Sequence, residues 1–305
     1  MKHIVSISLG SHWRDHAVET EFLGQKFLIE RIGTDGDMDK AVATVRELDG
    51  KVDAFGMGGI DLYIQTGNKR YILKDAQKIA DAARITPIVD GSGLKNTLER
   101  RTVHCLSKTG QLDFRNRKVL LVCGVDRFGM AEALVAEGAD VTFGDLIFGL
   151  GVPLAIKSLK TLAVVAGILG PVVSRLPFEY LYPTGAKQEL IYDKNSKYYE
   201  NNDIIAGDFH YIKKFLPEDI SEKIILTNTV TAEDVHLLSA RGAAQLITTT
   251  PELQGRSFGT NVMEAVLIAL LDKPQCMITP EDYHNILDEV NFQPRIVNLR
   301  AMQSA

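Results

Sequence analysis

Residues 119–129 read VLLVCGVDRFG, and this stretch decides the fold of the larger, C-terminal part of the chain. VLLVC is apolar without alternation, which is the composition of a strand buried on both faces, and Gly124 breaks the run where the chain must turn. FGMAEALVAEG follows with helical spacing and a terminal glycine, and ADVTFGD is a second strand of core character. Strand, glycine turn, helix and strand in succession form a βαβ unit, which requires a parallel sheet. The alternation resumes in NDIIAGDF, HYIKKFLP, KIILTNTV, TAEDVHLLSARG, AAQLITTT and FGTNVMEAVLIALLD. Residues 114–305 are therefore expected to form a doubly wound, Rossmann-like parallel-sheet domain. PEDYHNILDEV adds a helix with Pro280 in its first turn.

Ahead of this domain, KHIVSISL reads as a strand, and HAVETEFL and QKFLIERIG, on either side of Gly24, read as an antiparallel hairpin. DMDKAVATVRELDG, LKDAQKIADAARI and GLKNTLERRTVHCLSKTG have helical spacing, while VDAFGMGG and TPIVDG are short strands ending in glycine. Residues 1–113 are thus expected to form an N-terminal α/β domain, joined to the second through the charged stretch LDFRNRK. A helical, apolar insertion is expected at about 150–181. Its core, LAVVAGILGPVV at 162–173, is about half the roughly 20 residues that a bilayer crossing needs. It is read as a helix that closes the core or joins subunits, with a homodimer as the default.

The chain has 305 residues, 45% hydrophobic and 24% charged, with a formal net charge of -5. Mixed signs and a mildly acidic balance point away from nucleic acid and from an anionic membrane surface. Cys105, Cys123 and Cys276 are widely spaced and form no CxxC, so neither a disulfide framework nor a metal site is expected. The start, MKHIVSISLGSHWRDH, lacks secretory-signal form, and a cytoplasmic protein is the expectation. No serine nucleophile elbow, HExxH or GxxxxGK[ST] occurs.

Gly124 and Gly129 hold the first and third positions of a GxGxxG turn, whose backbone lies against a dinucleotide pyrophosphate at a helix N-terminus. Asp126 holds the second, where a carboxylate adds bulk and negative charge next to two phosphates. Arg127 is the expected neutraliser and a possible phosphate ligand. Asp145 ends the next strand 21 residues after Gly124, where an acid accepts the ribose hydroxyls of an adenosine and repels a 2'-phosphate. These features point to NAD ahead of NADP. They also suit S-adenosylmethionine, which has the ribose and no phosphates, and glycines that serve only helix packing.

Ligands of open α/β sheets lie beyond the carboxyl ends of the strands. There Asn228, Thr229 and Thr249 are of a type to hold the nicotinamide half of a cofactor, although Thr and Asn are also routine helix caps, the better reading for Thr231. Arg256, Ser257 and Thr260 precede the helix NVMEAVLIALL, an arrangement for a substrate carboxylate or a phosphate, or merely a capped helix start. In the first domain Asp90 and Lys95 share one end of the sheet, with Glu99 a helical neighbour of Lys95. Lys95 is the expected proton carrier, Asp90 its orienting partner, and His210, directly after a strand, the reserve acid or base.

VDAFGMGGIDLY, TPIVDGSGLKNTLER, CGVDRFGMAEAL, GDFHYIKKFLP and TTTPELQGRSFGTNVMEA together make the chain resemble bacterial proteins named quinate 5-dehydrogenase. Its two-part plan is similar to that of the shikimate and quinate dehydrogenases, whose lysine and aspartate motifs are not matched here. The resemblance implies an NAD(P)-dependent oxidoreductase acting on a small polar, hydroxylated or carboxylated substrate. The alternatives are a non-redox ligand-binding or regulatory protein, or an S-adenosylmethionine-using transferase, on the same fold.

Overall fold

The computed structural model describes residues 1–66, 69–175, 195–253 and 256–303. The N-terminal third contains β1 (Lys2–Ser8), β2 (His16–Phe22), β3 (Gln25–Gly33), α1 (Met38–Leu48), β4 (Ala54–Gly58), β5 (Tyr63–Thr66), β6 (Lys69–Ile72), α2 (Lys74–Ala80), β7 (Ile88–Val89) and α3 (Ser92–Lys108). Then come β8 (Lys118–Leu121), α4 (Phe128–Ala136), β9 (Asp140–Phe143), α5 (Leu159–Val173), α6 (Ser196–Glu200), β10 (Ile204–Ala206), α7 (Phe209–Lys214), β11 (Ile224–Thr227), α8 (Ala232–Ala240) and β12 (Gln245–Thr248). The chain ends with β13 (Glu252–Leu253), β14 (Arg256–Ser257), α9 (Thr260–Leu271), α10 (Pro280–Glu289), β15 (Arg295–Asn298) and α11 (Arg300–Gln303).

Two compact units result. The first holds Met1–Thr97 and Gly259–Phe292, with a short piece beginning at Gly170; the second holds Leu98–Leu169 and the described residues up to Phe258 and from Gln293 onward. The division falls inside α3, not at residue 113, because the later part of that helix buries Val103 and Leu106 in the second core, along with Leu112 and Phe114. The helix NVMEAVLIALL belongs to the first unit, although its sequence continues the alternation of the second.

In the first unit the sheet order is β2-β3-β1-β4-β7, parallel except for the β2–β3 hairpin. Val5, Ile7 and Leu9 of the β1 region pack with Phe55, Met57 and the apolar stripes of α1 and α2. α9 packs on β1 and β4. A Cβ on Gly56 would lie 3.0 Å from both the carbonyl and the side-chain amide of Asn261, so a glycine of AFGMGG serves helix packing and not a ligand.

In the second unit the order is β15-β12-β11-β10-β8-β9, all parallel except β15. Numbered within the unit, the parallel strands run 2-1-3-4-5, which places the topological switch between β8 and β10. Val119 and Leu121 face a core with α3, α4 and Leu162, while Leu120 and Val122 face one with α6, α7 and α8, so the sheet is covered on both sides. The sequence-based α/β, doubly wound reading therefore holds.

The apolar insertion is helical over a shorter span than expected. A π-helical turn covers Asp145–Gly149, residues 151–158 are not helical, and Ile156 bridges Phe143 before α5 begins. The remainder of the expected stretch, from 176, lies outside the described residues. Among the described residues no helix is long and apolar enough to cross a membrane.

Candidate functional site

The turn at Gly124 answers for Asp126. Asp145 reaches back from the end of β9, and its carboxylate accepts from the amides of Gly124 (3.0 Å) and Val125 (2.8 Å). These are the donors a pyrophosphate would need, so the acid expected to hold ribose instead closes the phosphate cradle. Phe143 and Leu162 seal the turn, since a Cβ at Gly124 would lie 2.9 and 3.0 Å from their side chains. Burial raises the Asp145 pKa, while the Val125 and Gly124 amides draw it back down. Gly129 is buried inside α4.

Arg127 is not turned toward a phosphate either. Its side chain is only 2% exposed and forms ion pairs with Glu99, itself fully buried, and with Asp208 at 2.9 Å. Asp126 stands 3.8 Å from the same guanidinium and keeps part of its surface in solvent. Asp208 caps α7 by accepting from the His210 amide at 2.9 Å, and it also accepts from the Asn228 side chain at 3.0 Å. Asn228 in turn accepts from the amide of Phe209. Arg127 follows β8 and Asp208 follows β10, so their ion pair spans the switch point, where ligands of such sheets bind. Glu99 Oε2 and Arg127 Nε are buried without a hydrogen bond.

The other expected ligands of this unit are dispersed. Thr229 is half-buried. Thr249 is fully buried, its amide donates to the Thr227 carbonyl, and its hydroxyl has no hydrogen bond. Ser257 is buried with its hydroxyl 3.1 Å from that of Thr248. Thr260 belongs to the first unit, where Gly259 and not a side chain caps α9, and the Arg256 side chain lies outside the described residues. Thr231 forms a capping box with Asp234, as its place before AED suggests.

In the first unit Asp90 accepts from the Leu62 amide (2.6 Å) and from both the amide (3.0 Å) and hydroxyl (2.7 Å) of Ser92, which makes it the anchor of the α3 start. Lys95 meets Asp61 at 3.1 Å, and Glu99, its expected helical partner, is taken by Arg127. The sequence reading missed Glu264. This carboxylate is 3% exposed and accepts from the Tyr283 hydroxyl at 2.6 Å. Burial and then the charge of Asp90 push its pKa up to about 7, against the pull of Tyr283 and of the nearby Gly91 and Leu94 amides. The available signal was a single charged residue inside the otherwise apolar NVMEAVLIALL.

Two α/β units, each built on a largely parallel sheet and the second carrying a buried ion-pair network at its switch point, define the class. The chain belongs to the family described as domain of unknown function DUF8754, whose model matches residues 93–299. A second model, domain of unknown function DUF8753, matches residues 3–90. No curated protein matches the sequence. Among solved structures, a periplasmic ribose ABC transporter protein from Conexibacter woesei DSM 14684 is 9% identical, with 99% of this chain and 93% of that chain covered and a TM-score of 0.40. An ABC transporter solute binding protein from Agrobacterium vitis with bound allitol is 12% identical, with 99% and 97% covered and a TM-score of 0.39. The arabinose-transporter binding protein from Shewanella sp. ANA-3, bound to L-arabinofuranose, is 10% identical, with 99% and 94% covered and a TM-score of 0.38.

The resemblance to quinate 5-dehydrogenases and to the shikimate and quinate dehydrogenases is corrected by these findings. The family models that match are those of two domains of unknown function, and neither is a shikimate or quinate dehydrogenase model. The reading as an NAD(P)-dependent oxidoreductase falls with it, because Asp145 and Arg127 have protein partners in place of ribose and phosphate.

Proposed function

We infer that the protein binds a small polar molecule without redox chemistry, at the carboxyl ends of β8, β10 and β11. The observation that carries this reading is the Arg127–Asp208–Asn228 chain across the switch point. Buried ion pairs contribute little net stability and often less than apolar residues of the same volume, so a network of this kind at a ligand-binding end points to recognition. Asp126 and Asp208, 28% and 22% exposed at the side chain, are the groups a ligand reaches first. Carboxylates that accept, beside an amide that both accepts and donates, suit hydroxyl groups, which do both. The ligand class is therefore a small polyhydroxylated compound.

Thermal unfolding with a panel of pentoses, hexoses and sugar alcohols, alongside NAD, S-adenosylmethionine and AMP, tests this. A ligand at about a hundred times its Kd adds roughly 2.7 kcal/mol. Stabilisation by a polyhydroxylated compound that Asp208→Asn abolishes supports the reading. Stabilisation by NAD or S-adenosylmethionine alone, or by no compound of the panel, overturns it.

A further inference from the structure

Beside β7, the edge strand of the first sheet, runs a groove of about 1090 Å³ lined entirely by residues of the first unit. Asp90, Ser92, Glu264 and Tyr283 form a polar part of its lining, and Ile88, Ile268, Pro274 and Ile278 are among its apolar residues. Glu264 is the decisive group. Its Oε1 holds the Tyr283 hydroxyl, while its Oε2 is buried and makes no hydrogen bond. Asp90 is also buried, at 8% exposure, and is close enough for its charge to act on Glu264.

We propose that this groove receives a primary ammonium group carried on a compact apolar body, with Glu264 and Asp90 as its acceptors. An ammonium brings three donors and a positive charge to a place where one carboxylate oxygen lacks a donor and two acids repel each other. An anion would add to that repulsion, and a neutral hydroxyl compound would leave the buried charge uncompensated. The lysines along the groove are engaged with other groups. Lys273 is paired with Asp282 at 2.8 Å, and Lys2 donates to the Ala269 carbonyl. Arg84 lies exposed, and Asp272 and Asp53 add negative charge to the lining. Apolar side chains offer the burial that would hold the ligand's body.

Binding of this kind is linked to a proton. Near pH 6 Glu264 is largely protonated, and an arriving ammonium displaces that proton to bulk solvent, so the atoms balance as one ammonium bound and one proton released. The groove is lined by residues of the first unit, whereas Arg127, Asp208 and Asn228 belong to the second.

The test is calorimetric titration of n-hexylammonium, n-hexanol and hexanoate into the full chain at about pH 6 and about pH 8, in buffers of different ionisation enthalpy. We expect the ammonium to bind at least about tenfold more tightly than the alcohol, with release of about one proton at the lower pH and almost none at the higher. Glu264→Gln abolishes the proton release and weakens the amine at least about tenfold. The wild-type proton count keeps the test intact if that variant folds poorly. Equal binding of amine and alcohol, no binding of the amine at about 10 mM, or no proton release at the lower pH overturns the proposal.

Discussion

Removing the Arg127 guanidinium is the sharpest perturbation available in the second unit. Arg127→Met keeps the length and the apolar stem of the side chain but leaves Glu99, which has no solvent exposure, without its counter-charge, and Asp208 without one of its donors. Breaking a buried pair from one side costs about 3–5 kcal/mol, because the remaining charge is stranded away from water. That shifts the folding equilibrium by a factor of roughly a hundred to several thousand. Replacing both partners, as in Arg127→Met with Glu99→Met, removes the stranded charge, and the double variant is expected within about 2 kcal/mol of the wild type. Equilibrium urea unfolding followed by far-UV circular dichroism measures the wild type, the two single variants Arg127→Met and Glu99→Met and the double variant, since the single tryptophan, Trp13, is 86% exposed and reports poorly on the core. Added salt should change the single variant's deficit little, because the pair is shielded from solvent ions. A cost below about 1 kcal/mol for Arg127→Met, or strict additivity of the two substitutions, would refute the argument that this arginine is fixed by buried acids.

The remaining predictions concern Glu264, Gly93 and Asp145. The folded-state pKa of Glu264 is raised, so its contribution to stability is full below the ordinary carboxylate value of about 4.5 and is lost as pH rises through about 7. The shift corresponds to roughly 3 kcal/mol, and Glu264→Gln should flatten that part of a stability profile measured by chemical denaturation; an unchanged slope would contradict the assignment. Asp145 titrates with the same sign, because burial raises its pKa as well. Gly93→Ala should destabilise by about 1–3 kcal/mol in urea unfolding, because the new Cβ would overlap Glu264 Oε1 and come within 3.0 Å of the Tyr283 hydroxyl; a neutral result would mean that the pair moves freely. Asp145→Ala strips the Gly124 and Val125 amides of their acceptor and should cost about 1–3 kcal/mol, with faster hydrogen exchange at those two amides as the specific readout. Exchange rates equal to wild type would show that another group satisfies the turn.

Much of the fold was legible in local sequence. The apolar run ending at Gly124, the hairpin about Gly24 and the capping box at Thr231 are short-range signals, and each appears where its residues place it. The candidate site was legible only as an address. Asn228 follows β11 and Arg127 ends the turn after β8, yet their partners Asp208 and Glu99 lie 20 and 28 residues away along the chain. Glu264 was hidden because it faces the start of α3 from a helix whose composition continues the pattern of the other unit.

By itself the sequence determined the periodicities, and with them strands buried on both faces and a glycine turn opening a helix. The three-dimensional fold alone decided what fills that turn. Two free amides at a helix N-terminus accept a phosphate or a carboxylate equally well, and the same letters are compatible with both. Only the return of β9, which carries Asp145 back against Gly124 and Val125, selects the internal acid. Which charges pair in a low-dielectric interior is likewise a property of distances between remote segments, and it turned Arg127 from a phosphate ligand into the centre of a buried network.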